Sequence, residues 1–464
     1  MSKPRKSRIL DMTQGSPAKL LLQFAMPLFL GNLMQQFYNL ADTAIAGHLL
    51  GDAALAQIGA TAALYSLITN FAFGMNSGLA LTVSRCFGAG DKTGVRRAAC
   101  WMVTLSLCTA AVLTGCLYGL RRGMLAFLQV PQATMDGALA YLAVILLGIP
   151  LTMAYNLESA MLQAVGNSIT PLFFLLFSSV LNIGLDVAFM GPLGLGVRGA
   201  AIATVLAQGI SAVLGGWYIL RGYPELRFTR SDYRGTGSMA RSMLWAGLSM
   251  GLMTAIYNIG SVVLQSSINA LGNVYIAAQV AGRRLAELFY IPGTALGIAI
   301  ATYSSQNFGA GRYRRIMKGV WVALGLYLIW WVFATAYVFT LGRPTVQAVT
   351  GSSDEAVLAN ALLYLQISIP MIPPMAVIVI FRNMLQGIQH TIAPLFSSAL
   401  ELIGKLIFGM WLVPVWGYPA VCICEPVTWV ICCVFISFAV WRCRAQLNQA
   451  DAGNRECSGS KMVG

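Results

Sequence analysis

Long apolar stretches recur along this chain, and two of them are long enough to cross a lipid bilayer. Residues 98–120 and 320–341 each exceed the roughly 20 residues that a membrane-spanning helix needs. Only 10% of the 464 residues are charged, against about 25% in soluble globular domains. A soluble fold of this length could not cover so much apolar surface. We therefore expect lipid to surround much of the chain.

The positions of lysine and arginine predict how the chain is oriented in the membrane. Loops on the cytoplasmic side carry an excess of these residues. Most of the 30 Lys and Arg lie in five segments, namely 3–19, 85–97, 221–241, 312–318 and 442–464. We therefore expect both termini in the cytoplasm and the protein in the inner (cytoplasmic) membrane. Charges spread over short loops, rather than gathered on one face, argue against nucleic-acid binding.

The two halves of the chain repeat each other. Three short sequences occur twice in the same order, about 220 residues apart: Phe-Gly-Ala-Gly at 87–90 and 308–311, Tyr-Asn at 38–39 and 257–258, and Met-Leu-Gln at 161–163 and 384–386. Apolar stretches between turn signals give twelve candidate spans, six in each half. Because six is even, the halves are parallel repeats. The sequence therefore predicts an all-α integral membrane protein with twelve transmembrane helices in two six-helix lobes related by a pseudo-twofold axis.

The basic segment after residue 221 is the natural connection between the halves. We expect a cytoplasmic segment at 1–18, an N-lobe at 19–221, a cytoplasmic linker at 222–241, a C-lobe at 242–445 and a cytoplasmic tail at 446–464. Two parallel lobes suit alternating access, in which a cleft opens to one side of the membrane and then to the other.

Acidic side chains inside the predicted spans are candidates for function, because a charge in a membrane helix is costly. Asn182 and Asp186 are four residues apart and share one helix face, and Asn39 and Asp42 share another at a spacing of three. If these faces meet, they form a carboxylate pair with amide support. Such a pair can hold H⁺, or bind Na⁺ through its oxygens. The competing interpretation is that the carboxylates cap or bridge helices. No other metal site is expected.

A second group of polar and aromatic side chains is expected to line a substrate cleft: Tyr38, Gln163, Tyr257, Arg283, Glu287, Arg382, Glu401 and Lys405. Glu401 and Lys405 have the spacing of a helix ion pair, which favours a structural role. One of the two arginines at 283 and 284 is expected to pair with Glu287. Tyrosine rings can stack on an organic cation, although most such rings pack or anchor helices. The roles of Glu158 and Glu425 stay open.

Nothing in the sequence indicates an enzyme or a cofactor. The chain has no Walker A motif for phosphate binding, and its two histidines, His48 and His390, stand alone. Its ten cysteines lie mostly inside apolar stretches, where thiols pack as small hydrophobic groups.

Several short motifs combine into a recognisable pattern: Asp-Met-Thr-Gln-Gly-Ser-Pro at 11–17, Tyr-Asn-Leu-Ala-Asp-Thr at 38–43, Ser-Arg at 84–85 before Phe-Gly-Ala-Gly, Gly-Asn at 166–167, the segment 182–186, Gly-Val-Arg-Gly-Ala-Ala at 196–201, Ala-Gly-Arg-Arg at 281–284 and Glu-Pro at 425–426. Over about residues 11–445 the chain resembles bacterial multidrug and toxic compound extrusion (MATE) transporters. The resemblance implies a twelve-helix, two-lobe exporter that exchanges cytosolic organic compounds, often cationic, for H⁺ or Na⁺. We expect it to function as a monomer.

The resemblance also implies where cation coupling takes place. In similar transporters an aspartate of the first helix and an Asn and an Asp of the fifth carry it, and the matching residues here are Asp42, Asn182 and Asp186. Some relatives use carboxylates in the seventh and tenth helices instead. Residues 248–271 contain none, and the tenth helix carries Arg382. This departure places the expected coupling in the N-lobe.

Two other functions stay open from the sequence. A flippase for a lipid-linked sugar or another envelope precursor would need a cationic cleft, which Arg283, Arg284, Arg382 and Lys405 could provide. A membrane-embedded enzyme is the third hypothesis and ranks last. Neither the substrate nor the choice between H⁺ and Na⁺ follows from the sequence.

Overall fold

A computed structural model describes residues 9–351 and 354–460, and every regular element within these ranges is a helix. The expected all-α class is thereby confirmed. Four of the basic residues that were used to predict the cytoplasmic N-terminus (Lys3, Arg5, Lys6 and Arg8) lie outside the described residues. Residues 461–464 of the predicted tail lie outside them as well.

The first half of the chain forms six long helices joined by short turns. They are α1 Pro17–Leu50, α2 Asp52–Gly88, α3 Lys92–Phe127, α4 Gln132–Ala164, α5 Ile169–Met190 and α6 Gly196–Gly222.

The second half repeats this plan, with one long helix broken in two. It contains α7 Gly237–Asn269, α8 Asn273–Gly309, α9 Tyr313–Thr350, α10 Glu355–Ser368, α11 Ile372–Gly387, α12 Ile392–Ile407, a π-helical turn Phe408–Leu412, α13 Val413–Trp416 and α14 Tyr418–Ser460.

Ten helical spans among the described residues are long and apolar enough to cross a membrane. The pair α10 and α11, bent by 55° at a short break, makes an eleventh. Pro373 and Pro374 at the start of α11 account for the break, since proline has no backbone N–H to donate. Helix α1 is not in this set, because its glutamines and asparagines lower its hydropathy. Its 34 residues are nevertheless long enough, so the expected number of twelve spans is compatible with these helices.

The chain divides into two compact units. Among the described residues, the first unit comprises 9–11 and Leu30–Ala255, and the second comprises Met12–Phe29 and the residues from Ile256 onward. The borders therefore fall inside α1 and α7, so the units differ from the lobes expected from the sequence by the beginnings of these two helices. In α1 the border follows Pro27 closely, where the helix lacks a backbone hydrogen bond.

The segment between α6 and α7 packs against α3 within the first unit. Trp101 donates its indole N–H to Thr236 Oγ1 at 2.8 Å, and the hydroxyl groups of Thr104 and Tyr233 share a hydrogen bond of 2.6 Å. Asp232 accepts the backbone N–H of Thr229 at 2.8 Å and closes a short 3₁₀ turn. The segment expected as a linker is therefore anchored to the first unit.

Glycines on α2 allow α2 and the first half of α7 to pack backbone to backbone. A Cβ atom at Gly78 would lie 2.5 Å from the carbonyl oxygen of Ala246, and one at Gly74 would lie 2.7 Å from that of Met250. Small residues at such contacts are how membrane helices gain close van der Waals packing without a hydrophobic driving force.

Replacing Gly78 with valine should destabilise the protein, because the added side chain would overlap the backbone of α7. Overpacking of this kind costs about 1–3 kcal/mol. The melting temperature of the purified protein in detergent measures the effect. Gly115→Val in α3 is the matched control, since nothing lies within 4 Å of a Cβ atom there. Equal melting temperatures for the two variants would contradict the proposed close packing.

Candidate functional site

Helices α1 and α5 bring two carboxyl groups together inside the first unit. Asp42 of α1 and Asp186 of α5 lie within hydrogen-bonding distance of each other, and we call them the carboxyl pair. Asp186 is fully buried, and Asp42 is half-buried. Each also has a buried Oδ1 atom without a hydrogen-bond partner among the described residues. A hydrogen bond between two carboxyl groups requires a proton on one of them.

Asn182 links the carboxyl pair to neighbouring polar groups of α1 and α6 by hydrogen bonds. In the amide orientation that satisfies its neighbours, Nδ2 donates to Asp186 Oδ2 at 2.7 Å and to the Tyr38 hydroxyl at 3.1 Å. Its Oδ1 accepts the backbone N–H of Thr204 at 3.0 Å. This orientation follows from the hydrogen-bond network, which is how amide groups are assigned. Helices α1, α5 and α6 thus meet at a single buried amide.

A shell of hydroxyl and amide groups surrounds this contact. The Tyr38 hydroxyl lies close to the side chain of Thr204, and the Tyr65 hydroxyl of α2 lies close to Gln208 of α6. Thr152 of α4 donates to Gln208 Oε1 at 2.6 Å. Five helices of the first unit therefore contribute polar groups to one buried network.

A small cavity adjoins the carboxyl pair. Its volume is about 30 Å³, and its lining residues are Gln35, Tyr38, Tyr155, Leu175, Ser178, Ser179, Asn182, Thr204, Ala207 and Gln208. A polar cavity of this size holds one or two water molecules. It is far smaller than the pockets of several hundred Å³ that bind drug-sized ligands. This site can therefore hold a proton or water, but not an organic molecule.

Asn39, which was expected beside Asp42, does not join this network. Its side chain is exposed, and its Oδ1 accepts a hydrogen bond from Gln35 at 3.3 Å. In a helix with 3.6 residues per turn, the side chain of Tyr38, four positions before Asp42, projects in nearly the same direction as that of Asp42. The side chain of Asn39, three positions before Asp42, is rotated away from that direction in the opposite sense. Tyr38, which was expected in the substrate cleft, takes that place instead.

Thr204 and Gln208 were missed by the sequence reasoning. They lie four residues apart on one face of an otherwise apolar helix, the same signal that drew attention to Asn182 and Asp186. Gln163, expected in the cleft, lies half-buried in the last turn of α4 in the first unit.

The other expected cleft residues form an ionic cluster inside the second unit, centred on Lys405. This lysine is fully buried. Its Nζ lies 3.6 Å from Glu425 Oε1, 3.8 Å from Glu401 Oε1 and 4.0 Å from the centre of the Tyr257 ring. It also donates to Ser261 Oγ at 3.4 Å. The predicted pair of Glu401 and Lys405 is therefore one contact among several.

Two arginines complete the ionic cluster. Arg283 donates to Glu287 at 3.1 Å, to Glu425 at 3.4 Å and to the Tyr257 hydroxyl at 3.2 Å. Arg382 donates to Glu401 Oε2 at 3.2 Å. The cluster, defined as Arg283, Glu287, Arg382, Glu401, Lys405 and Glu425, therefore balances three cations with three carboxylates.

Glu425, whose role the sequence left open, is a central member of this cluster. It lies inside α14 rather than at its end, and it accepts hydrogen bonds from Arg283 and from the Tyr364 hydroxyl, the latter at 3.2 Å. It also forms the ion pair with Lys405. The carboxylate thereby joins helices α8, α10, α12 and α14.

The carboxyl-pair network and the ionic cluster occupy corresponding positions of the repeat. The spacing of about 220 residues that relates the repeated motifs also relates Tyr38 to Tyr257, Asn182 to Lys405 and Thr204 to Glu425. Where the first unit has a neutral amide beside two acids, the second unit has a buried ammonium group. One copy of the site thus contains its own cation, and the other does not.

Comparison with known proteins places both halves of the chain in one family. The MatE family profile matches residues 27–188 and again 249–411. "Probable multidrug resistance protein YpnP" of Bacillus subtilis is 29% identical over 313 residues, which are 66% of this chain and 68% of that protein. "Probable multidrug resistance protein NorM" of Thermotoga maritima is 24% identical and matches over 83% of each chain. A crystal structure of MATE in the bent conformation superposes with a TM-score of 0.88 at 20% identity, covering 97% of this chain and 100% of that chain.

A repeated bundle of long apolar helices that encloses buried acids defines a multi-pass membrane transporter. Since the family profile covers both halves, the chain belongs to the MatE family. The resemblance found in the sequence motifs is confirmed.

Removing the carboxylate of Glu425 should destabilise the second unit strongly, because Arg283 and Lys405 would keep buried charges without a full complement of partners. Breaking a buried ion pair in this way costs on the order of 3–5 kcal/mol. The melting temperature of Glu425→Gln in detergent measures the loss. The control is Glu287→Gln, whose side chain is 46% exposed and whose pairing is expected to be worth at most about 1 kcal/mol. A Glu425→Gln protein as stable as the control would show that the cluster does not stabilise the fold.

Proposed function

We propose that this protein is a secondary antiporter that exports organic compounds, drugs among them, in exchange for H⁺ by alternating access. The observation that carries the proposal is the contact between the carboxyl groups of Asp42 and Asp186 inside the first unit. Two relatives bear the name of probable multidrug resistance proteins, which supports organic solutes as the cargo.

The hydrogen bonds around the carboxyl pair favour H⁺ over Na⁺ as the coupling ion. A bond between two carboxyl groups exists only while one of them is protonated. In the orientation that satisfies its neighbours without a cation, Asn182 donates its amide nitrogen to Asp186. A bound Na⁺ ion would instead be matched by the opposite orientation, with the amide oxygen toward the carboxyl pair. Na⁺ is the alternative that the experiment below tests directly.

Proton loading provides a physical switch between conformations. With both carboxylates ionised, mutual repulsion and the loss of hydration would make their contact costly. One proton removes the repulsion and supplies the hydrogen bond, so the contact belongs to the proton-loaded state. The two conformations then differ in their affinity for H⁺, which is the condition for a proton gradient to shift their populations.

Charge pairing in the second unit weakens the case for a flippase. That hypothesis depended on a cationic cleft, but three of its four cations, Arg283, Arg382 and Lys405, each contact at least one glutamate. The fourth, Arg284, is exposed. The cluster therefore offers balanced charge to a ligand rather than a field that would attract a phosphate.

We further propose that the protein resides in the inner membrane with both termini in the cytoplasm and functions as a monomer. The positions of the basic loops support the orientation. The two six-helix halves, each with its own buried polar network, support an exporter that is complete in one chain.

Asp42→Asn and Asp186→Asn should each abolish proton-driven export, because an amide cannot take up and release a proton. The measurement is efflux of the cationic dye ethidium from proteoliposomes under an imposed pH gradient. Asp52→Asn provides the matched control, since this aspartate is exposed at the start of α2 and its variant should transport like the wild type.

The same vesicles distinguish the coupling ions. Efflux driven by a Na⁺ gradient at equal pH on both sides would replace H⁺ with Na⁺ in the proposal. Normal proton-driven efflux in both aspartate variants would remove the carboxyl pair from the mechanism.

A further inference from the structure

Glu158 is an acidic residue of the first unit that has no role in the antiport mechanism proposed above. It lies near the end of α4 and is half-buried. Its carboxylate occupies a slot on α6 that exists only because two glycines face it. A Cβ atom at Gly215 would lie 2.1 Å from Glu158 Oε2, and one at Gly216 would lie 3.0 Å from Oε1. The backbone of Gly216 therefore lies close to the carboxylate.

No basic side chain of the described residues forms an ion pair with Glu158. Helix α6 presents backbone to it, and on α4 the titratable neighbour is the phenol of Tyr155. This sets Glu158 apart from Glu401 and Glu425, which are paired with cations. An unpaired acid within a membrane helix is costly and marks a site of function by default.

Glu158 and the carboxyl pair lie toward opposite ends of the first unit. Asp186 is in the last turns of α5, and Glu158 is in the last turns of α4. The short connection at 165–168 makes α4 and α5 run in opposite directions, so these two helix ends lie at opposite sides of the bundle. In the proposed orientation Glu158 is on the cytoplasmic side.

The small cavity of the first unit is lined by residues close to each of these two acidic sites. Tyr38 and Asn182, which hydrogen-bond to each other beside the carboxyl pair, line it. Tyr155, one helical turn from Glu158, lines it as well. Ser178, Ser179 and Gln208 add further polar groups to the wall. The cavity has room for one or two water molecules, and its wall includes neighbours of both sites.

We infer that Glu158 is the second proton-carrying residue of the first unit, which accepts the proton that leaves the carboxyl pair and passes it to the cytoplasm. This inference rests on the proposed function. The O–H bond of the protonated aspartate breaks, water in the cavity carries the proton, and a new O–H bond forms at the Glu158 carboxylate. Transfer to cytoplasmic water regenerates that carboxylate. Only a proton moves, and no other reactant is consumed.

The test compares two activities of the same purified protein in liposomes. Glu158→Gln should lower ethidium efflux driven by a pH gradient by about tenfold or more, which is at the lower end of what a positioned proton-transfer group contributes. It should leave ethidium–ethidium exchange, measured without a gradient, near the wild-type rate, because exchange needs substrate binding and conformational change but no net proton release. Glu158→Asp should recover part of the efflux and shift its pH profile.

Each outcome decides between alternatives. Glu355→Gln, at an exposed glutamate paired with Arg343, should leave both activities unchanged. Normal gradient-driven efflux in Glu158→Gln would overturn the role of Glu158 alone, while the carboxyl-pair mechanism stands. Loss of exchange together with efflux would assign Glu158 a structural role and also overturn the inference. A wild-type protein that moves no dye under a pH gradient would overturn the proposed function, and this inference with it.

Discussion

The hydrocarbon core of a membrane offers no water to solvate charge, so every ionisable side chain within this bundle must be satisfied by the protein itself. The second unit meets this condition with ion pairs, in which Glu425 and Glu401 neutralise the buried ammonium of Lys405 and its neighbouring arginines. The first unit has no cation at the corresponding place and brings two carboxyl groups close together instead, which we propose share a proton. This difference is the basis of our proposal that the first unit couples transport to H⁺ while the ionic cluster of the second unit stabilises the fold.

A duplicated six-helix plan explains why the two polar networks can be compared at all. Lys405 stands where the repeat has Asn182, and Glu425 stands where it has Thr204. A tethered ammonium cannot leave its site, whereas the proton that we propose to be held between Asp42 and Asp186 can. The second unit is therefore suited to a permanent set of ion pairs, and the first unit is suited to binding and releasing a proton. The same fold thus supports a static and an exchangeable version of one site.

The sequence predicted much of the candidate site, because helical spacing and the shared motifs are local properties. Asp42, Asn182 and Asp186 were selected on that basis, and the structure brings them together. Their role in coupling stays a prediction. Asn39 was chosen over Tyr38 because a spacing of three and one of four both read as one face, and only the actual rotation of α1 separates them. The sequence did not predict the contacts of Thr204 and Glu425, since these contacts are made with helices that are distant in the chain.

By itself, the sequence determined that this chain is a helical membrane protein, that it is built from two parallel repeats and that it resembles one transporter family. Apolar length, charge placement and repeated motifs are sufficient for these conclusions because each is counted along the chain. The tertiary structure alone decided which acids are paired with cations and which are not. It also showed that Gly215 and Gly216 of α6 face the Glu158 carboxylate and that Tyr155, Tyr38 and Asn182 line one small polar cavity. These facts depend on the distances between helices in space, which the order of residues along the chain does not contain.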